Sequence, residues 1–501
     1  MQADPEKTIS ATGGQTSLSK YDSKTGSSVS ESPLDQFSVE EIKSAWRKVD
    51  LHILPVAVLL YLCSYIDRAN IGNAKVLGLS AALKLTPNHY NLALSIFFVG
   101  YVIFETPSNI IVKRIGPRWY IPIMTVIWGM ICCLTSLVKS SAGLIAARFF
   151  LGLVEAGFLP GIIFWMGSWY PRPLQGRRFA VLYSSVSLTG AFGGLLATAI
   201  HALDGTHGIA GWRWIFIVEG VITIGFGLIA FFLITPSPLK ASWLSEREKQ
   251  IIILTNEVDR ALKGHEEFST KQIKSAFTDW RTWAWSVMYF STYIPVYSII
   301  LSLPTVVTGL GYSGTGATLM AVWPYFLGFV VVLTAGWTMD RWGHRFVHYC
   351  VGITVAMVAL IVLITVEKLV VRYVMFFFVM FMFVPISTMW AWLSSNVAGS
   401  NKRAAATGVI FSLGNIGGAI AGQIYRAEWA PRYVNGHAIN LAFYGVALIS
   451  GTVVWWSYRS DNRARDRAEG GGVNVVERRK GMLGDELGDL GDRHPHFRYY
   501  L

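Results

Sequence analysis

The chain has 501 residues, 52% of them hydrophobic and only 15% charged, with a formal net charge of +12. A soluble protein carries about 25% charged residues, so this deficit, with repeated apolar runs of about 20 residues, excludes an ordinary soluble domain and indicates a polytopic membrane protein. The basic excess does not mark a nucleic-acid binder, because Lys and Arg fall in the connections where the cytosolic loops of a membrane protein carry them.

In chain order, residues 1–37 are polar and lack the apolar core of a signal peptide, so they are expected to form a disordered cytosolic N-terminus. Ser38-Val39-Glu40-Glu41 is a capping box that starts a helix leading into the first apolar run. Apolar runs follow at 52–76, 90–112, 119–138, 142–169, 179–201 and 213–235. The polar stretch 236–282 carries a second capping box, Ser245-Glu246-Arg247-Glu248, and reads as a cytosolic linker. Six more runs occupy 283–308, 315–339, 346–366, 370–395, 404–426 and 437–458. The predicted fold is thus all-α: twelve transmembrane helices in two six-helix bundles, 38–235 and 283–458. The charged, Gly-rich tail 459–501 reads as mobile. Lys43, Arg47, Lys48, Arg178, Arg341, Arg345, Lys402 and the basic linker set both termini in the cytosol. The four cysteines lie in apolar runs, which reads as buried thiols rather than a disulfide framework.

Two halves of six spans joined by a basic linker resemble the major facilitator superfamily. A local motif carries the same likeness. After span 8 comes Gly336-Trp-Thr-Met-Asp340-Arg341-Trp-Gly343-His-Arg345, which is similar to the superfamily's inner-loop pattern. The matching loop after span 2 departs from it, with Asn109 for Gly and Lys113 for Asp. Asp340, Arg341 and Arg345 are therefore candidate gate residues of the second half. Both loops also have a simpler reading as positive-inside anchors. The resemblance implies a carrier whose substrate binds near the midplane between the bundles.

The charged residues inside apolar runs are the most informative. Asp67-Arg68 lies within span 1, and span 4 contains Arg148 and Glu155. An unpaired charge at the bilayer centre costs about 2.5–3.5 kcal/mol even on insertion scales, so such residues face protein or a cavity and mark transport paths. Asp67 lies about 22 Å from the inner edge of its run, and Arg148 about 9 Å from the outer edge of its own. If spans 1 and 4 are inverted-repeat partners, the two share a depth, and Asp67 is expected to pair with Arg148 while Glu155 sits deeper. Arg68 is turned about 100° from Asp67 around the helix. With all four ionised the set is neutral; one added proton makes it positive and attractive to an anion. Asp67 and Glu155 are thus candidate proton-coupling residues, and Arg68 and Arg148 candidate substrate-binding ones. A purely structural ion-pair network is the competing reading.

Other polar residues in the runs are weaker signals. Glu105, in Glu105-Thr-Pro107-Ser108-Asn109, reads as a gate or structural residue. Asn396 and Asn415 can each hydrogen-bond a substrate carboxylate or hydroxyl, and helix packing explains them equally well. Tyr289, Tyr293 and Tyr297 share one face of span 7, lining a cavity or filling a core; Tyr293 is the candidate substrate contact. No metal-ligand spacing, phosphate-cradling loop or nucleophile–base pattern is present, so neither an enzyme nor an ATP-driven pump is expected, and no cofactor beyond a proton gradient.

A narrower resemblance rests on Tyr65-Ile-Asp67-Arg68-Ala-Asn70-Ile-Gly72-Asn73, Pro107-Ser108-Asn109, Gly116-Pro117-Arg118, Arg148 through Pro160, Asn396, Lys402-Arg403 and His496-Phe497-Arg498-Tyr499. These look like the anion:cation symporter family, especially its fungal allantoate and nicotinate permease branch. The likeness implies a monomeric plasma-membrane carrier importing a small organic carboxylate, such as a vitamin or ureide, with protons carried by Asp67 and Glu155. The rival readings are an exporter of an anionic metabolite with the same fold, and a nutrient sensor that binds without transporting.

Overall fold

The computed structural model describes residues 36–261, 270–397, 400–468 and 497–501, and these residues contain helices and turns but no strand. Helices occupy the twelve predicted positions: Val39–Val76 (span 1), Pro87–Ile115 (span 2), Pro117–Thr135 (span 3), Ser141–Glu155 with Phe158–Trp169 (span 4), Arg172–His201 (span 5), Gly211–Leu233 (span 6), Trp280–Thr308 (span 7), Gly314–Trp342 (span 8), Arg345–Thr365 (span 9), Leu369–Val379 with Phe383–Asn396 (span 10), Ser400–Ala421 (span 11) and Val434–Ala468 (span 12). Among the described residues, ten of these positions are long and apolar enough to cross a membrane; span 2 falls outside that set, and span 11 offers the shorter apolar stretch Ala405–Ala421.

Both capping boxes form. The Glu41 amide donates to Ser38 Oγ at 3.2 Å, and the Ser38 amide donates to the Glu41 carboxylate at 2.9 Å. At the linker helix, Glu246–Ala261, Ser245 and Glu248 repeat the exchange at 2.8 and 3.3 Å. Glu248 also pairs with Lys48 at 2.9 Å, and Arg247 with Glu41 at 2.9 Å, so the linker helix lies against the start of span 1.

Span 4 is two helices rather than one. A Cβ on Gly157 would run into Ser108 and the Tyr120 hydroxyl of spans 2 and 3, so only glycine fits there. Pro160 has no N–H to offer the carbonyl of Ala156, which ends the regular hydrogen-bond ladder at the same place. The second half is anchored elsewhere. The indoles of Trp165 and Trp169 donate to the Thr235 carbonyl at 2.8 and 2.9 Å, and Asn256 of the linker helix donates to the Trp169 carbonyl at 3.1 Å.

The tail corrects the expectation of mobility at both ends that the structure describes. Span 12 continues as helix to Ala468. Residues 497–501 are packed onto the second bundle: Tyr499 stacks on Tyr458 with ring centroids 4.3 Å apart, and Asn462 exchanges hydrogen bonds with the Tyr499 main chain at 2.8 and 2.9 Å. Charge alone does not make a segment mobile when its backbone finds amide partners and its rings find aromatic ones.

The two bundles meet through spans 1 and 7, 2 and 11, and 5 and 8. Their closest approaches lie on the side away from the chain termini. A Cβ on Gly72 would stand 2.7 Å from the Leu301 carbonyl oxygen. Ser95 Oγ donates to the Ala419 carbonyl at 2.6 Å, Gln423 donates to Ser95 at 2.8 Å, and the hydroxyls of Thr198 and Thr318 are 2.9 Å apart. On the terminal side, the ion pairs among described residues stay within one bundle or its linker, as with Arg178–Asp50 and Lys402–Asp279.

Candidate functional site

The side chains of Asp67, Arg68, Arg148 and Glu155 all point into protein. Asp67, Arg148 and Glu155 are each 1% exposed and Arg68 5%. The pairing differs from the expected one. Arg68 Nη2, not Arg148, makes the ion pair, with Glu155 Oε1 at 2.5 Å, and Ser64 Oγ donates to the same oxygen at 2.6 Å. Ser64 and Arg68 are four residues apart on one helix face, which is how both reach one carboxylate.

Asp67 faces the other way, into the first bundle. Its carboxylate accepts from Trp128 Nε1 at 3.1 Å and Thr223 Oγ1 at 2.8 Å, with the Cys132 thiol at 3.6 Å. Arg148 does not touch it. The Arg148 guanidinium instead donates to the main-chain carbonyls of Arg68 at 2.9 Å and Asp67 at 3.4 Å. The expected Asp67–Arg148 pair is therefore corrected: depth was matched, but the rotation of span 1 about its axis turns the Asp67 side chain toward spans 3 and 6. Arg148 braces the backbone of span 1 at the two residues that carry the charges.

Arg68 lies at the interface between bundles. Its Nη1 donates to the Tyr297 hydroxyl of span 7 at 3.2 Å, and its guanidinium carbon is 4.6 Å from the ring centroid of Tyr65, 5.0 Å from that of Phe97 and 5.4 Å from that of Tyr101. Such rings stabilise a cation while leaving its N–H groups free to find an acceptor. Across the interface, Tyr289 donates to Tyr293 at 2.7 Å and Trp390 donates to Tyr289 at 3.0 Å, with Phe411 stacked on Tyr289. Tyr183 of span 5 packs on Trp390.

The remaining predicted residues fall in different places. Asn415 donates to Glu105 Oε1 at 3.5 Å, so a candidate binding residue and a candidate gate residue meet across the bundle interface. Asn396 is remote from this group. Its amide is taken up by the tail, donating to the Tyr500 carbonyl at 3.0 Å and accepting from the Tyr500 amide at 2.7 Å. Arg345 donates to the Ala391 carbonyl at 2.8 Å and lies over the Tyr500 ring, and Arg341 is exposed beside Trp337. Gly336 is inside the helix of span 8, and the turn after that span is made by Gly343 with a φ of 70°. The Asp340 side chain lies outside the described set.

Residues that the sequence reading did not single out complete the arrangement: Ser64 on Glu155, Trp128 and Thr223 on Asp67, and Glu219 of span 6, 2% exposed. Glu219 carries the same signal as Asp67, a charge within an apolar run. Among the described residues, no three His, Cys, Asp or Glu side chains cluster to hold a metal ion. Outside the membrane-spanning segments, Asp279 caps span 7. Burial pushes its carboxyl up, but the 2.7 Å bond from Lys402 and that residue's charge outweigh burial and hold it below the usual carboxylate range.

Comparison with known proteins agrees with this architecture. The family profile described as Major Facilitator Superfamily matches residues 57–422. The chain is 33% identical over 480 residues to the MFS-type transporter cnsO of Penicillium expansum, covering 93% of this chain and 92% of that one. It is 31% identical over 474 residues to the major facilitator-type transporter hxnP of Emericella nidulans, covering 92% and 94%. Among solved structures, a bacterial homolog of the human lysosomal transporter Spinster superposes with a TM-score of 0.62 at 15% identity over 84% of this chain and 98% of that one. A D-xylose–proton symporter gives 0.62 at 15% identity over 81% and 97%. The chain belongs to the major facilitator superfamily, and it is a multi-pass membrane transporter rather than an enzyme.

Proposed function

We propose that this transporter carries a small organic anion together with a proton, in the manner of the anion:cation symporters. The observation that supports this reading is the position of Arg68, between Glu155 of its own bundle and the Tyr297 hydroxyl of the other. While Glu155 is ionised it neutralises the guanidinium. A proton on Glu155 releases that charge, and a planar guanidinium then suits a carboxylate, which it can engage through two N–H groups. Arg148 serves as a positioning residue, holding the span 1 backbone so that Arg68 projects into the interface. Tyr293 and its neighbours would line the substrate's path, and Glu105–Asn415 would act as a latch between spans 2 and 11. In this reading the protein works as a monomer in the plasma membrane with both termini in the cytosol.

The test is accumulation of labelled nicotinate, allantoate, biotin or pantothenate by cells expressing the protein, with and without a protonophore. One of these carboxylates should accumulate, and the protonophore should abolish accumulation while leaving exchange intact. Glu155→Gln should likewise keep exchange and lose accumulation. Accumulation that survives both treatments refutes proton coupling through Glu155.

A further inference from the structure

Asn396 and Arg345, expected from sequence to meet substrate and to gate, instead hold a piece of the chain itself. Residues 497–501 lie at the ends of spans 7, 9, 10 and 12, and their main chain is held residue by residue. Asn462 of span 12 takes both polar groups of Tyr499: its Nδ2 donates to the carbonyl at 2.8 Å and its Oδ1 accepts from the amide at 2.9 Å. Asn396 of span 10 does the same for Tyr500, at 3.0 and 2.7 Å. A carboxamide offers a donor and an acceptor side by side, so each asparagine stands in for the edge of a neighbouring strand. In an extended chain, successive residues present N–H and C=O to opposite sides. A residue held by span 12 is accordingly followed by one held by span 10. Trp392 Nε1 adds a second bond to the Tyr500 carbonyl at 2.9 Å, Arg465 donates to the Phe497 carbonyl at 2.6 Å, and the Arg345 amide, at the start of span 9, donates to the Leu501 carbonyl at 3.3 Å.

The side chains are fitted as closely. Arg498 is 3% exposed and pairs with Asp466 of span 12 at 2.8 Å. Tyr499 is buried, its ring stacked on Tyr458, and its hydroxyl accepts from Arg281 Nη1 of span 7 at 2.9 Å. The Phe497 ring meets the Tyr499 ring edge-on, with centroids 5.1 Å apart. The Tyr500 ring is less enclosed, with the Arg345 guanidinium carbon 4.8 Å from its centroid. Main-chain hydrogen bonds that supply affinity, with pockets for particular side chains that supply specificity, are the marks of a peptide-recognition site. Chain continuity does not place the segment there, because residues 469–496 separate it from the end of span 12 at Ala468.

We propose that the ends of spans 7, 9, 10 and 12 form a peptide-binding site for an extended Phe-Arg-Tyr sequence, and that its resident ligand is the chain's own segment 497–501. Occupied, the site ties span 10 to span 12 through adjacent residues of one strand. The proposal is independent of which substrate the carrier moves and of proton coupling.

The test is made in trans with the purified protein in lipid nanodiscs. The variant lacking 497–501 should melt at a lower temperature than wild type. A synthetic peptide of sequence Phe-Arg-Tyr-Tyr-Leu should bind it and raise that temperature, and the reversed sequence should do neither. The full chain, whose site is filled, should bind the fluorescently labelled peptide far more weakly. Asn396→Leu or Asn462→Leu, placed in the deletion variant, should each weaken peptide binding about tenfold or more, since each removes two hydrogen bonds. A folded deletion variant that ignores the peptide, or that takes the reversed sequence equally well, overturns the proposal. Should the deletion variant fail to fold, amide hydrogen exchange of the full chain decides. Tyr499 and Tyr500 should be protected in wild type, with Asn462→Leu releasing Tyr499 and Asn396→Leu releasing Tyr500. Fast exchange of both amides in wild type, or unchanged protection in both variants, refutes the docking.

Discussion

The first bundle buries Asp67, Arg68, Arg148, Glu155 and Glu219 within its spans, whereas the facing part of the second is built from Tyr289, Tyr293, Tyr297, Trp390 and Phe411. The difference is one of attachment as well as charge. Every side chain that donates to Asp67 comes from the first bundle, so that set moves as one body when the bundles rock. Arg68 alone of the four buried charged residues of spans 1 and 4 has a described side-chain hydrogen bond to the other bundle, at Tyr297. Relative motion of the bundles therefore changes the surroundings of Arg68 and leaves those of Asp67 intact.

The largest break in this contrast is Arg68→Ala. It strands a buried Glu155 carboxylate, which costs about 3–5 kcal/mol, and it should abolish uptake. Thermal unfolding of Arg68→Ala and of the Arg68→Ala/Glu155→Gln double variant separates the two effects: the double variant should recover most of the stability and none of the uptake. Equal stability of all three proteins would remove the pair from the folded state.

Thr223→Val deletes one donor to Asp67 without touching the interface, and should cost up to about 3 kcal/mol in thermal stability. Because the loss is confined to the first bundle, KM for the transported anion should stay within about twofold of wild type, corresponding to less than about 0.5 kcal/mol. A KM that rises tenfold would place Asp67 at the substrate.

Asp279→Asn probes the second bundle, where charge is kept at the helix ends. The carboxyl of Asp279 is held below its unfolded value by Lys402 despite burial, so its contribution is complete at pH 7 and is lost as pH falls through and below about 4. The variant should be about 2 kcal/mol less stable at pH 7, and denaturation curves of the two proteins should converge in acid. The smallest effect is expected from Tyr289→Phe, which removes one hydroxyl from the Trp390–Tyr289–Tyr293 row and should cost about 1 kcal/mol, with its transport effect seen in KM rather than in the protonophore response.

The architecture was legible because its signals are strong and local. A charge in a long apolar run, a capping box at Ser38 or Ser245, and a polar gap between two sets of six runs each have few physical explanations. Partner choice was less legible. Residue counting gave Asp67 and Arg148 a common depth, yet the azimuth of span 1 decides whether Asp67 meets Arg148 or Trp128, and a single run of residues does not report its rotation. Asn396 reads as a span residue that either meets a substrate or packs helices, whereas its partner, Tyr500, lies 104 residues further along the chain. Glu219 was as legible as Asp67, being a charge within the apolar run 213–235.

The interruption at Gly157 divides span 4 into two arms with different attachments. One arm carries Arg148 and Glu155; the other is bolted through Trp165, Trp169 and Asn256 to the segment that joins the bundles. The residue that pairs with Arg68 is thus tied through span 4 to the segment that joins the bundles.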